Sequence, residues 1–499
     1  MKRITIILSK CFQTIWGKVK AESRDWRLRS LHSPVPSLFP ILLLLLLILQ
    51  PFPTAAGSTI YQGNPGNYLT LLAQLQPGDT LLLDAGTYTD GLPLYNLNGS
   101  VNAPIVIAGP TTGGTAVFLA DPCICYNTIE IQDSSYIEIR NLELDGQQLS
   151  GVDAVKAGGN PFTNWAHHIT LENLTIHDHD NGQQTVAIST KIPVWDWVIR
   201  ANIIDGAGTG LYLGDSTGDA PFINGLIEHN LVMNTLGYNM QIKQQNPRPT
   251  LPGIPTSGKT IIRHNVFSKA NNAALGGDAR PNLLVGHWPL TGAGSNDLYE
   301  IYGNFFYENE SFERLFQGEG NVALYNNLFV STTSDALSFQ AHNDQPRTIN
   351  VFNNTIVAAG TGINISGIDT NFTQRVIGNA IFAGTPFNVA AEVETAGNIT
   401  DLTANATNYL TNPFALPGSG LDLFPLPGQL TGSPLNTVPF QTFTEWTQDF
   451  NYNPHDGTHR GAYAGSGTNP GWLPQLSRKP MGTPPILDQH IYLPQVSNP

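Results

Sequence analysis

A phrase that recurs nine times limits this chain more than any other feature. Each copy is an alternating apolar stretch, an Asn and an apolar pair: YIEIRNLEL, HITLENLTI, WVIRANII, LIEHNLVM, IIRHNVF, EIYGNFF, ALYNNLF, NVFNNTI and RVIGNAI. The Asn residues are Asn141, Asn173, Asn202, Asn230, Asn265, Asn304, Asn327, Asn354 and Asn379, spaced by 32, 29, 28, 35, 39, 23, 27 and 25 residues. Period-2 alternation excludes a helical repeat. A fixed phrase at variable spacing fits a solenoid of strands with loops of different length. Asn suits a sharp bend because it tolerates left-handed backbone geometry. Stacked at one bend, successive amides bond one another up the coil at ~4.8 Å per strand.

The ends alter the charge balance. The first 38 residues hold eight Lys or Arg, then comes the apolar run Ile41–Leu49 and PFPTAAG. This pattern reads as a secretory signal cleaved near Ala56–Gly57, or as an uncleaved anchor. The apolar run is shorter than the ~20 residues of a membrane span. The remainder carries 16 of the 24 cations and 36 of the 38 acids, near −20. Such a surface argues against nucleic acid or an anionic membrane as partner. Cys123 and Cys125 give no disulfide framework and read as core or edge thiols.

A second strand follows each Asn by roughly ten residues, reckoned as coils of strand spacing. Aligned, these are TVAIST (185–190), GLYLGD (210–215), NMQIKQ (239–244), AALGGD (273–278), RLFQGE (314–319), ALSFQA (336–341) and GINISG (362–367). The outward column near their ends then holds Ser189, Gly214, Lys243, Gly276, Gly318, Gln340 and Ser366. Lys243 therefore stands in a notch between two glycines. The two longest coils carry insertions, QNPRPTLPGIPTSG (245–258) and PNLLVGHWPLTGAGSN (281–296), read as following the second strand. Insertions on one side of a solenoid usually wall its binding face.

With its Asn phrases and the opening LQPGDTLLLDAGTYTDGLPLYNLNGSVNAPIVIAGP (75–110), the chain resembles the right-handed parallel β-helix proteins of the pectate-lyase-like superfamily, above all the alginate lyase and chondroitinase B family. The resemblance implies an all-β parallel β-helix with an Asn ladder over 57–417, after a signal at 1–56. NYLTLLAQL (67–75) is expected to cap the open end as a short helix, and 418–499 to form a Pro-rich cap and extended tail. DFNYNPHDGTHRGAYAG (449–465) resembles the closing segment of secreted β-helices. A monomer, secreted or on the cell surface, is expected.

In that family a Lys closing such a strand acts as base and an Arg about one coil later assists. Lys243 in QIKQQN matches the Lys, and Arg280 in GGDARPN matches the Arg a few residues late. The acidic calcium ligands that precede the family's Lys have no counterpart in LGYNM (236–240). No cofactor is therefore expected, Ca2+ being the one ion weighed. The implied chemistry is β-elimination of an acidic, uronate-containing polysaccharide. Its carbanion-like transition state needs the carboxylate neutralised, and Arg offers a bidentate fork. Lys243 is the candidate base, Arg280 the neutraliser, and His287 or Tyr238 the acid or orienter.

Two other readings compete. A glycoside hydrolase would use Asp215, Asp278 and Glu319, which the alignment places in one turn region of successive coils; ~5–10 Å between carboxylates suits such chemistry. The paired-Asp, GHG and RIK signatures of polygalacturonase-like β-helices are absent. A non-catalytic carbohydrate-binding or adhesion protein would stack sugars on Tyr212, Phe316 and Trp288. Of the remaining cations, Arg248 lies between prolines and either guides an anion or has no role. Arg263 reads as a solvated strand position, and Lys259 and Lys269 as loop charges. TIHDHDNG (175–182) would put His177 and His179 on one face if extended, with Asp178 and Asp180 on the other. A polar loop is the simpler reading, against calcium or a transition metal.

Overall fold

A computed structural model describes residues 57–121 and 127–482. The proposed leader, Cys123 and Cys125 lie outside these residues. No helix among the described residues is long and apolar enough to cross a membrane.

The chain winds as a right-handed parallel β-helix with three faces. The first face runs from Ile60–Gly63 to Glu394–Ala396, each strand pairing in parallel with the next coil. The second face follows the Asn phrase, as in Ile203–Ala207 and Leu231–Thr235. The third face comes next, as in Thr209–Leu213 and Met240–Ile242. Near the far end, Thr355–Ile365 and Ala380–Val389 each run through both later faces as one strand. The helix Tyr68–Leu72 caps the start, with the Tyr68 ring edge-on to Tyr88 at 5.0 Å and its hydroxyl donating to Gly91 O at 2.6 Å.

The corner after the first face needs two residues, not one. The first adopts left-handed geometry: Asn141, Asn173, Ala201, His229, His264, Gly303, Asn326, Asn353, Gly378 and Gly397 all have positive φ. The second turns inward, and from Asn202 to Asn398 it is always Asn. Asn230 Oδ1 accepts from the backbone N–H of Asn202 at 3.0 Å and from its Nδ2 at 2.9 Å, while Asn230 Nδ2 donates to Ile199 O at 2.8 Å. The same set repeats through Asn265, Asn304, Asn327, Asn354 and Asn379 to Asn398. Asn141 and Asn173 are thus not rungs of this ladder. Glu172 pairs with Arg200, which sets Asn173 beside Ala201 and Leu174 beside Asn202. The two early Asn bond each other at 2.8 Å on the outside of the corner. Left-handed tolerance also belongs to the outer column, because the ladder Asn themselves have no positive φ.

The first and second faces carry apolar residues outside as well as inside. Tyr302, Tyr325 and Phe352 stack on the first face and are covered by Phe440 and Phe443, with Phe352–Phe440 centroids 3.9 Å apart. Phe305, Leu328, Val357 and Phe382 on the second face are covered by Leu410, Leu423, Phe450 and Tyr463. The segment after the last coil therefore lies along the sides of the solenoid. It stays packed as far as Lys479, whose Nζ donates to Phe450 O at 2.6 Å and Gly303 O at 3.2 Å, and lies 3.7 Å from the Phe450 ring centroid. Neither covering cluster includes a residue of the third face.

Four cations depart from their expected roles. Arg263 bonds Glu228 at 2.8 Å and Glu445 at 2.6 Å, and Lys259 bonds Glu300 at 2.7 Å. Lys269 is buried and donates to Arg280 O at 2.6 Å. Arg248 guides no anion. Its side chain is 2% exposed and paired with Asp297, itself 1% exposed, and its Nη1 also donates to Pro255 O. This pair fastens the loop at 245–258 to the end of the second insertion, with Gly258 N–H adding a 2.7 Å bond to Asp297.

Two outcomes follow from the corner and the loop clasp. Asn304→Leu keeps the volume, as Leu174 does one coil before Asn202. It takes the acceptor from the Asn265 N–H and the donor from Ile262 O. Each unsatisfied buried group costs ~1–3 kcal/mol, so stability should fall by about 2–4 kcal/mol, read as a lower urea midpoint. Asp297→Ala strands a buried guanidinium, at a cost of about 3–5 kcal/mol. New protease cleavage within 245–258 should appear while the strand signal in circular dichroism persists.

Candidate functional site on the third face

Among the described residues neither covering cluster reaches the third face, yet most of its outward mid-strand residues are buried, and Lys156, Lys191, Tyr212 and Lys243 are part-exposed there. Lys156, Ser189, Tyr212, Gln241, Leu284, Gln317 and Ser338 stand in register in mid-strand. Two residues on, past an inward position, comes the strand-end column: Gly158, Lys191, Gly214, Lys243, Gly286, Glu319 and Gln340. Backbone bonds carry the register to this point, with Lys243 N–H to Leu213 O at 2.9 Å and Gly286 N–H to Ile242 O at 2.9 Å.

The notch at Lys243 is present, but Gly286 rather than Gly276 forms its second wall. Gly276–Asp278 is a 3-10 turn, and the strand of that coil is Leu283–Val285. The insertion of this coil is therefore split to either side of its strand. Gly214 is required by its backbone angle and Gly286 by space. A Cβ on Gly214, at φ +97°, would meet Lys243 Cβ at 3.1 Å, and one on Gly286 would meet Gln244 N at 2.3 Å. Lys243 is half-buried, and its Nζ makes no hydrogen bond or ion pair among the described residues. Burial pulls its pKa below the ordinary lysine value, against Asp215 and Glu319.

Lys191 is the residue that sequence alignment missed. Ser189 is the mid-strand partner of Tyr212, and Lys191 holds the strand-end place one coil before Gly214. Its Nζ donates to Gly214 O at 3.0 Å and sits 3.2 Å from the centroid of the Tyr212 ring. Burial, aided by Lys156 and Lys243, brings its pKa down to about 7 against the pull of Asp153 and Asp215. The offset from Tyr212 to Gly214 and from Gln241 to Lys243, applied to Ser189, would have found it.

The other expected residues divide. Tyr238 is half-buried, and burial raises its phenol pKa while Arg280 lowers it. Arg280 turns its guanidinium to Gly277 O at 2.9 Å and Ala279 O at 2.7 Å. Its charge is felt by Tyr238 and is not among those acting on Lys243. His287 is buried, with Nδ1 2.5 Å from Trp288 O and Nε2 3.0 Å from Gln345 O, so carbonyls occupy both nitrogens. Phe316 and Trp288 offer no sugar platform. Phe316 points inward, and Trp288 stacks on Tyr299 at 4.0 Å inside the core. Tyr212 remains outward, with Lys191 on its face.

The three acids do not form one row. Asp278 is in the 3-10 turn, away from the strand-end column. Asp215 Oδ1 accepts from Gly218 N–H at 2.8 Å and Asp219 N–H at 2.9 Å, which shapes the following turn. Glu319 is buried and takes Asn343 N–H and Asp344 N–H at 3.0 Å; burial raises its pKa against these bonds.

The His177–Asp180 stretch is not simply extended. Asp178 is left-handed, with φ 58°, which puts His177 outside and His179 in the interior against Val152 O at 3.2 Å. Asp145, His177 and Asp178 bring ligand-type atoms within 4.8 Å of one another. His177 is already held by Asp178 at 2.7 Å and Glu143 at 3.1 Å. Burial alone would lower its pKa, but these two bonds outweigh it and the net direction is up. A separate cleft of about 910 Å3 lies by the early corners, lined by Asp84, Thr111, Arg140, Asn141 and Glu172, outside the third face.

No family model matches this chain, and no curated protein does. Similar solved structures include a GH136 lacto-N-biosidase from Eubacterium ramulus, 12% identical with TM-score 0.46, covering 69% of this chain and 68% of that one. An alginate lyase from Paenibacillus sp. str. FPU-7 is 14% identical with TM-score 0.35, covering 69% and 99%. The A-module of mannuronan C-5 epimerase AlgE6 from Azotobacter vinelandii is 16% identical with TM-score 0.40, covering 68% and 94%. At these identities the likeness is one of architecture, not of chemistry. Three parallel faces, a two-residue corner and an inner Asn ladder make this chain a right-handed parallel β-helix protein.

Proposed function

We propose that this protein is a secreted enzyme that cleaves an acidic, uronate-containing polysaccharide by β-elimination on its third face. The observation that carries the reading is the unpartnered, half-buried amine of Lys243 between Gly214 and Gly286. Neither glycine sets a side chain against the amine, although both are themselves buried.

In the reaction, the neutral Lys243 amine takes the proton on the carbon beside the uronate carboxylate. The electron pair forms a carbon–carbon double bond, and the bond to the glycosidic oxygen breaks. That oxygen takes up a proton from water, since Tyr238 precedes the strand Met240–Ile242 while Lys243 follows it. A positioned base of this kind contributes typically 10²–10⁴-fold. The hydrolase alternative has less support, since Asp215 shapes a turn, Asp278 leaves the row and Glu319 is held by backbone amides.

A panel of alginate, pectate and glycosaminoglycans should yield product absorbing in the near ultraviolet. Lys243→Ala should lower that rate by ~10²-fold or more. Activity surviving this substitution would place the base elsewhere, and reducing ends without the chromophore would favour hydrolysis. Because the acting form is the neutral amine, the wild-type rate should rise with pH. The lowered pKa of Lys243 sets the midpoint below the ordinary lysine value of ~10.4.

A further inference from the structure

Arg280 was the expected neutraliser of the substrate carboxylate, yet its guanidinium is engaged with backbone carbonyls near Tyr238. The strand-end column offers another cation. Lys191 and Lys243 stand one coil to either side of Gly214, about 10 Å apart along the axis at their backbones. Gly214 carries no side chain between them, and its φ of +97° disfavours any other residue. Each flexible lysine stem can lean towards the gap, and Lys191 does, with Nζ on Gly214 O at 3.0 Å. The Tyr212 face 3.2 Å away suits a cation at that point. Two amines flanking a bare glycine are distinctive on a chain with a mature charge near −20.

We infer that Lys191 binds the uronate carboxylate over Gly214, so that the adjacent C–H faces Lys243. This assignment rests on the lyase reading for the role of Lys243, but the carboxylate site itself does not require turnover. The carboxylate replaces Gly214 O as the acceptor of Lys191 and, as an anion in contact, raises its pKa from about 7 and holds it charged, while Tyr212 keeps the ammonium on its ring face. Asp215 lies near both lysines, with its charge spread over the turn's N–H groups. It serves as the counter-ion of the empty site. Lys191 is thus a binding residue, whereas Lys243 receives the proton.

The test compares binding and turnover of mannuronate, guluronate and galacturonate tetramers with a galacturonate tetramer whose carboxyls are reduced to alcohols. Wild-type protein should bind at least one acidic tetramer more tightly than the neutral one. Lys191→Gln should weaken that acidic tetramer about tenfold or more, as loss of a charged hydrogen bond does. It should leave the neutral tetramer unchanged, and Lys191→Arg should restore most of the affinity. In turnover, Lys191→Gln should act chiefly on KM and Lys243→Gln on kcat. If Lys191→Gln weakens acidic and neutral tetramers alike, or neither, the carboxylate site is overturned. If the wild type binds them equally, the inference also falls. If acid-selective binding depends on Lys191 but no unsaturated product forms, the site stands and the lyase reading falls. An unchanged urea midpoint and Lys191→Met as a second variant guard against a folding defect.

Discussion

Everything in this molecule hangs on how it turns one corner. A parallel coil must reverse direction without leaving buried amides unpaired, because each orphan costs on the order of 1–3 kcal/mol. The chain solves this with two adjacent residues. One takes left-handed backbone geometry on the outside, and one inward Asn serves the preceding coil, accepting from the N–H of its Asn and donating to a carbonyl there. The ladder fixes the rise per coil and therefore the stacking of all three faces. Loops can grow to different lengths because the corner, not the loop, sets the register.

The same register governs the surface. Apolar residues point outward on two faces, and the chain after the last coil lies over them. The third face keeps mostly polar and small residues outside, with Tyr212 and Leu284 among them. There, the strand-end column alternates side chain with space: Lys191, Gly214, Lys243, Gly286, Glu319. A solenoid can thus build a site from residues about 25–40 positions apart in sequence, as each coil adds one member.

Much of this was legible beforehand, and the misses have physical causes. The alternation and Asn phrase gave the solenoid, but Asn141 and Asn173 were counted as rungs. Counting from Arg140, Glu172 and Arg200 would have separated them, since Asn follows the first two directly and Ala201 intervenes after the third. Lys243 and Gly214 were placed correctly by the apolar alternation of LYLG and QIK. Gly276 was not, because AALGGD mimics a strand while forming a turn. NLLVGH, which ends like GLYLGD, is the true strand and delivers Gly286. Trp288 was misread because a tryptophan in a long loop looks exposed in sequence, and Phe316 because RLFQGE was aligned one residue off, with Gly318 in place of Glu319 in the outward column. Here the loop brings its tryptophan into the core. The ion pairs of Arg248 and Arg263 join segments 49 and 182 residues apart, a separation that no local pattern encodes.

The lateral cover has a bearing on how the protein comes into being. The coils stack in the order in which they are made, so each can dock on its predecessor during synthesis. The aromatic outer stripes cannot be shielded in that order. Tyr302, Tyr325 and Phe352 wait for Phe440 and Phe443, and Phe305 waits for Phe450 and Trp472. Until then the growing solenoid displays sticky walls beside an unpaired sheet end, a combination that invites association between chains. A chain cut short before these segments would not be a smaller version of the protein. It would be a ready-made template for its own aggregation.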